Sequence, residues 1–267
     1  MAFIQVNLLS RSLMRTVPVN VILPIDKLMP PDAPRREDKP YKTLYLLHGV
    51  FGNYTDWVCG TRIQRFAEEH DLAVVMPSGD NAFYVDRPAG GDFYGEFIGR
   101  ELVELTRKIF PLSHDREDTF IGGLSMGGFG AMRNGLKYSE TFSNIIALSP
   151  ALHLFEGEPE PACGLLGKSP DQWEEIKNSD VNPRWLLKQL GEQKPRVYLA
   201  CGDRDELVSS TRLYEKLLTE AGVELHSVVD EGAHEWDYWD RHIKLALEWL
   251  PLDRRSGGLN SGNIKGE

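Results

Sequence analysis

Four short, predominantly apolar runs, at residues 41–47, 72–76, 145–148 and 196–200, constrain this chain more than any other feature. Each is too short for a helix and lacks the apolar-polar alternation of a half-exposed strand, so each reads as a strand buried on both faces. Helical patterns separate them, over residues 62–70, 97–109, 131–138 and 210–221, the last closed by Gly222. Strand and helix in alternation predict an α/β fold around a mostly parallel sheet with helices on both faces. Two alternating segments, 3–9 and 14–23, flank a Ser-Arg-Ser break and predict an N-terminal antiparallel hairpin. At 267 residues, 41% of them hydrophobic, the chain suits one domain over residues 1–252. A final helix over 236–250 precedes a polar, glycine-rich tail, residues 253–267, expected to be mobile.

A further run, DTFIGGLSMGG at residues 118–128, reads as a buried strand breaking sharply into a helix around Ser125. Such a turn holds its central residue in strained geometry and lifts the hydroxyl clear of the sheet. Gly123 and Gly127, two before and two after, remove side chains that would collide across the bend. The following helix directs its first N–H groups at the site, where a developing negative charge would be stabilised. A glycine-rich turn with an idle serine fits this motif equally well, so the neighbouring loops decide.

In a parallel sheet, ligands gather outside the carboxyl ends of the strands. The loop HGVFGNY, residues 48–54, can turn the N–H of Val50 inward beside that of Met126, making an oxyanion hole. His48 reads as a brace for this loop rather than as a base. The loop CGDRDEL, residues 201–207, offers Asp203 and Asp205 as acids able to orient a histidine. Asp205 is preferred because it lies further past the strand end, whereas Asp203 can pair locally or shape the turn. The loop DEGAH ends at His234, the histidine of the seven best placed as a base; His153 is a weaker competitor. The order Ser125, Asp205, His234 is the nucleophile-acid-base order of α/β-hydrolases.

The blocks LYLLHGVFGNYTDW, FIGGLSMGGFGAM, ALSPAL, CGDRDEL and EGAHEWDYW resemble the tributyrin-esterase and acetylesterase group. That group sits in the wider esterase D branch, with S-formylglutathione hydrolases and feruloyl esterases. The resemblance runs from the hairpin to the last helix and implies an α/β-hydrolase fold and a serine carboxylesterase needing no cofactor or metal. It implies Ser125 as nucleophile, Asp205 as acid, His234 as base, and Val50 with Met126 as oxyanion donors. Short-chain acyl or small aromatic esters (acetyl, butyryl, feruloyl) are the expected substrates. The same triad also serves thioesterases and acyltransferases, and a non-catalytic binding protein could retain the fold. Phe51, Tyr54, Trp57, Tyr84 and Trp236 are candidate substrate contacts, with Phe93 and Tyr94 close by in sequence; ordinary core packing is the competing reading of each. Residues 81–95 and 151–184 are expected to shape the pocket, the second as a lid or insertion.

Charge and short motifs narrow the alternatives. A net charge of −10 and a pI near 5.3 give neither nucleic acid nor an acidic membrane a basic surface to bind. A small-molecule ester is therefore the expected partner, and assembly into a homo-oligomer is left open. Cys59, Cys163 and Cys201 are odd in number and widely spaced, which fits a reducing cytoplasm better than a disulfide framework or a zinc knuckle. The N-terminus lacks signal-peptide order. Gly167-Lys168-Ser169 would end a phosphate loop, but Ala162 stands where its first glycine belongs. His234-Glu235 lacks the second histidine of a zinc-protease helix, since Tyr238 occupies that place.

Overall fold

The computed structural model describes residues 1–29, 31, 36–252 and 258. Eight strands form one sheet: β1 (Ala2–Ser10), β2 (Arg15–Leu23), β3 (Thr43–Leu47), β4 (Ala73–Pro77), β5 (Thr119–Leu124), β6 (Asn144–Leu148), β7 (Arg196–Gly202) and β8 (Leu225–Asp230). Their order across the sheet is β1-β2-β4-β3-β5-β6-β7-β8. The β1–β2 hairpin is antiparallel, with Ser10 opposite Arg15, and β2 joins β4 antiparallel with Val21 opposite Val75. Every pairing from β4 to β8 is parallel. This is the α/β-hydrolase arrangement.

The apolar runs carry two periodic faces at once. Leu44 and Leu46 of β3, with Val74 and Met76 of β4, enter one hydrophobic cluster; Tyr45 and Leu47, with Ala73 and Val75, enter the other. The first cluster is covered by α1 (Asp56–Gly60), α2 (Ile63–Glu69) and the last helix, Trp236–Trp249, through Trp57, Phe66, Ile243 and Leu247. Leu102–Ile109, Met126–Lys137 and Val208–Glu220 cover the second through Leu102, Phe129, Met132, Tyr214 and Leu218. Each large side chain so buried contributes roughly 1.5–3 kcal/mol of transfer free energy. Stacking both clusters on one sheet fixes its strand ends, and the functional loops leave from them.

Two segments differ from the sequence pattern. Residues 97–109 form not one regular helix but a π turn, Phe97–Glu101, running into the α-helix Leu102–Ile109. Glu101, at the junction, reaches the hairpin turn, accepting hydrogen bonds from Ser10 Oγ (2.7 Å), Arg11 N–H (2.7 Å) and Ser12 N–H (3.1 Å). Burial pushes its carboxyl up, but these donors outweigh that and hold it below the usual range. Residues 151–184 fold into short helical turns pinned to the body of the domain. The fully buried Arg133 guanidinium lies 2.9 Å from Asp180 Oδ2, and Arg87 donates to Leu165 O at 2.7 Å. The tail expected to be mobile lies outside the described residues, Gly258 excepted. Among the described residues, no helix is long and apolar enough to cross a membrane.

Candidate active site

Ser125 joins β5 directly to the helix Met126–Lys137, and its backbone sits at φ 53°, ψ −117°. That region costs a residue with a Cβ about 1–3 kcal/mol, so the surroundings must hold it. They do so from both sides of the residue. Ser125 N–H donates to Leu148 O at 2.9 Å, while Ser125 O accepts from the N–H groups of Phe129 and Ala151 at 3.0 Å each. A Cβ on Gly123 would lie 2.4 Å from the Gly127 carbonyl, and one on Gly127 would lie 2.3 Å from Leu47 O. Those neighbours are backbone atoms, of the first turn of the helix Met126–Lys137 and of β3, and cannot swing aside. Gly127→Ala is therefore expected to destabilise the fold by about 3 kcal/mol or more, read as a lowered urea midpoint. A midpoint within error of the parent would show that the turn is looser than these distances require.

The loop after β7 carries Asp205, only 2% exposed, and the loop after β8 carries His234. Asp205 Oδ2 lies 2.9 Å from His234 Nδ1, and Oδ1 accepts from Leu207 N–H at 2.9 Å. A carboxylate partner assigns the proton to Nδ1 and leaves Nε2 as the basic nitrogen. Burial pushes the Asp205 carboxyl up, but hydrogen bonds from His234, Leu207 N–H and Ser149 outweigh it and hold the acid below its usual range. Asp203 acts differently. Its Oδ1 accepts from Gly232 N–H at 3.2 Å and its N–H donates to Asp230 O at 2.8 Å, so it stitches the two loops together.

The loop after β3 is braced by His48, which is 1% exposed. Its Nε2 accepts from Gly79 N–H at 2.8 Å while Nδ1 donates to Gly49 O at 2.7 Å. Burial lowers its pKa, in keeping with a neutral ring that donates at one nitrogen and accepts at the other. Phe51 has φ 64°, and its N–H donates to Asn81 Oδ1 at 2.8 Å. The Phe51 amide is thus committed, and Val50 supplies the next N–H back along the loop. Met126 opens its helix, so its N–H has no carbonyl one turn behind it.

Ser125, His234 and Val50 line a single cleft of about 410 Å³, whose remaining walls are Gly49, Phe51, Gly52, Asp56, Leu124, Trp236 and Trp239. Of the aromatic candidates, Phe51 (92% exposed) and Trp236 are on this wall. Tyr54, Trp57 and Tyr84 are not, and each has another task. Tyr54 ties the loop to the hairpin through Gln5 and Asn20; the Trp57 indole donates to Leu47 O; the buried Tyr84 hydroxyl donates to His48 O. Their bulk serves to pack the loop from behind. Leu124, Asp56 and Trp239 are wall residues that the sequence reading passed over, although Trp239 follows Trp236 at the i+3 spacing that places both on one helix face. No residue of 151–184 is among those lining the cleft.

The family model for Esterase matches residues 10–250. The chain belongs to the esterase family. It is 41% identical over 264 residues to an acetyl esterase of Caldicellulosiruptor saccharolyticus, covering 94% of this chain and 98% of that one. Among solved structures it is similar to the S-formylglutathione hydrolase FrmB of Staphylococcus aureus, at 32% identity and a TM-score of 0.78, covering 93% of this chain and 98% of that one. It is also similar to FphF, a fluorophosphonate-binding serine hydrolase of the same organism, at 31% identity and a TM-score of 0.79 over the same shares of the chains. As an esterase, the protein acts on carboxylic ester bonds in small molecules.

Proposed function

We propose that Ser125, His234 and Asp205 hydrolyse short-chain esters through an acyl-enzyme. The 2.9 Å Asp205–His234 pair opening onto the same cleft as the strained Ser125 turn carries this reading. His234 Nε2 takes the Ser125 proton as Oγ attacks the ester carbonyl. Val50 and Met126 N–H groups stabilise the oxyanion, and each such donor typically lowers the barrier by about 3–4 kcal/mol. The alcohol leaves with the proton from His234. Water then attacks the acyl-enzyme by the same steps, and the acid departs. Throughout, Asp205 holds the imidazole in one tautomer and stabilises the imidazolium.

The cleft wall suits small, uncharged esters. Leu124, Trp236, Trp239 and Phe51 are apolar, while Asp56 is the only acidic residue among those lining it, with no lysine or arginine beside it. An anionic substrate such as a glutathione thioester would be repelled by that carboxylate. Nitrophenyl acetate and butyrate are expected to be turned over with higher kcat/KM than nitrophenyl octanoate, methyl ferulate or S-formylglutathione. Asp56→Asn should raise kcat/KM for S-formylglutathione relative to the acetate by about tenfold, the order expected for removing one like charge at close range. Preference for the octanoate, or an unchanged ratio in the variant, would refute the assignment of the wall. All three cysteines are unpaired, with Cys163 and Cys201 buried, which supports a reducing, cytoplasmic setting.

A further inference from the structure

Ser149, at the end of β6, takes no part in the steps above, yet it sits between two residues that flank the base. Its backbone has φ 42°, outside the range a serine favours, and it is fully buried. Its N–H is fixed to Ala200 O at 2.7 Å. Its Oγ accepts from the Trp239 indole N–H at 3.1 Å, and Ser149 is among the groups that hold the Asp205 carboxyl below its usual range. Trp239 in turn presents its ring edge-on to His234, with centroids 4.9 Å apart and planes at 88°. A hydroxyl has one proton to give. With the indole donating into the oxygen, that proton is left for an acceptor, and a carboxylate outcompetes the other candidate, Cys201, whose thiol burial pushes up to about 12.

We infer that Ser149 is a positioning residue: one buried hydroxyl donates to the catalytic acid and accepts from the indole that packs perpendicular to the base, fixing Asp205 and His234 together. The inference rests on the triad reading. It gives a reason for a serine to stand at a positive φ, where glycine would sit without strain. The groups facing the Asp205–His234 pair are the Cys201 thiol from β7, the Leu207 N–H, Ser149 from β6, Trp239 from the last helix and Asp56 across the cleft. Of the donors to Asp205, Ser149 can be removed without altering the β7 loop itself.

The test is Ser149→Gly, which relieves the backbone while deleting the hydroxyl. Without that donor, Asp205 concentrates its charge on the imidazolium. The acid limb of the kcat/KM profile on nitrophenyl acetate should then move to higher pH by about half a unit to one unit, and kcat should fall about tenfold with KM little changed. Titration of the His234 ring followed by NMR should show the same displacement, independent of turnover. Ser149→Cys, which keeps a weaker donor, should fall between the parent and Ser149→Gly, and it decides the matter should the glycine variant not fold. An unmoved limb in Ser149→Gly, or a loss confined to melting temperature or KM, overturns the inference. If instead Ser125→Ala retains activity, the triad reading itself has failed, and the two failures are told apart.

Discussion

Ser125→Ala is expected to lower kcat for nitrophenyl acetate by about 10⁴-fold or more while leaving the fold intact. Losses of that size arise where a nucleophile, base and acid act as one unit, so that removing one member forfeits most of what the set contributes. Ala and Ser share the Cβ that makes φ 53° strained, so the backbone cost is the same in both and the melting temperature should stay within a few degrees. The residual rate should come from the oxyanion donors and from binding alone. Covalent labelling by a fluorophosphonate, which needs the serine oxygen as its attachment point, should vanish entirely. His234→Ala should lose a comparable factor, and the double variant should lose little beyond either single one. Hydrolysis that persists in Ser125→Ala above a tenth of the parent rate would rule out this serine as the nucleophile.

The parts of this architecture that could be read from sequence are those where a physical requirement leaves a local trace. Strands with both faces buried must be apolar throughout, and β3, β4, β6 and β7 fall on the four apolar runs within a few residues. The turn at Ser125 needs glycine on both sides because main chain lies 2.3–2.4 Å from any added Cβ, so its trace survives as Gly123 and Gly127. Requirements met across the fold leave no such trace. Trp57 and Tyr84 look like pocket aromatics from their place in the chain, but the indole and hydroxyl find the carbonyls of Leu47, at the end of β3, and His48, at the start of the loop. Ser149 is one serine among many until the indole of Trp239, 90 residues away, is seen to donate to it. The junction at Glu101 is similar, since three donors from the hairpin turn explain its burial and nothing beside it in sequence announces them.

The choice between Asp203 and Asp205, two residues apart, tests the geometry more sharply than the nucleophile does. Asp205→Asn is expected to lower kcat by about 10⁴-fold with little change in KM, because an amide in place of Oδ2 can donate to Nδ1 and favour the tautomer whose proton sits on Nε2. That tautomer has no lone pair to receive the serine proton. The imidazolium formed during attack also loses its counter-charge, so raising the pH cannot restore the rate. Asp203→Asn removes a different set of contacts. Its carbonyl oxygen still accepts from Gly232 N–H, and the backbone bond from residue 203 to Asp230 O is untouched, so kcat should fall by less than about tenfold. Comparing the two variants on one ester, each with its pH profile and melting temperature, isolates the charge beside His234 from the turn that carries it. Equal losses in both would place the acid's role in the loop's shape rather than in the 2.9 Å contact with Nδ1.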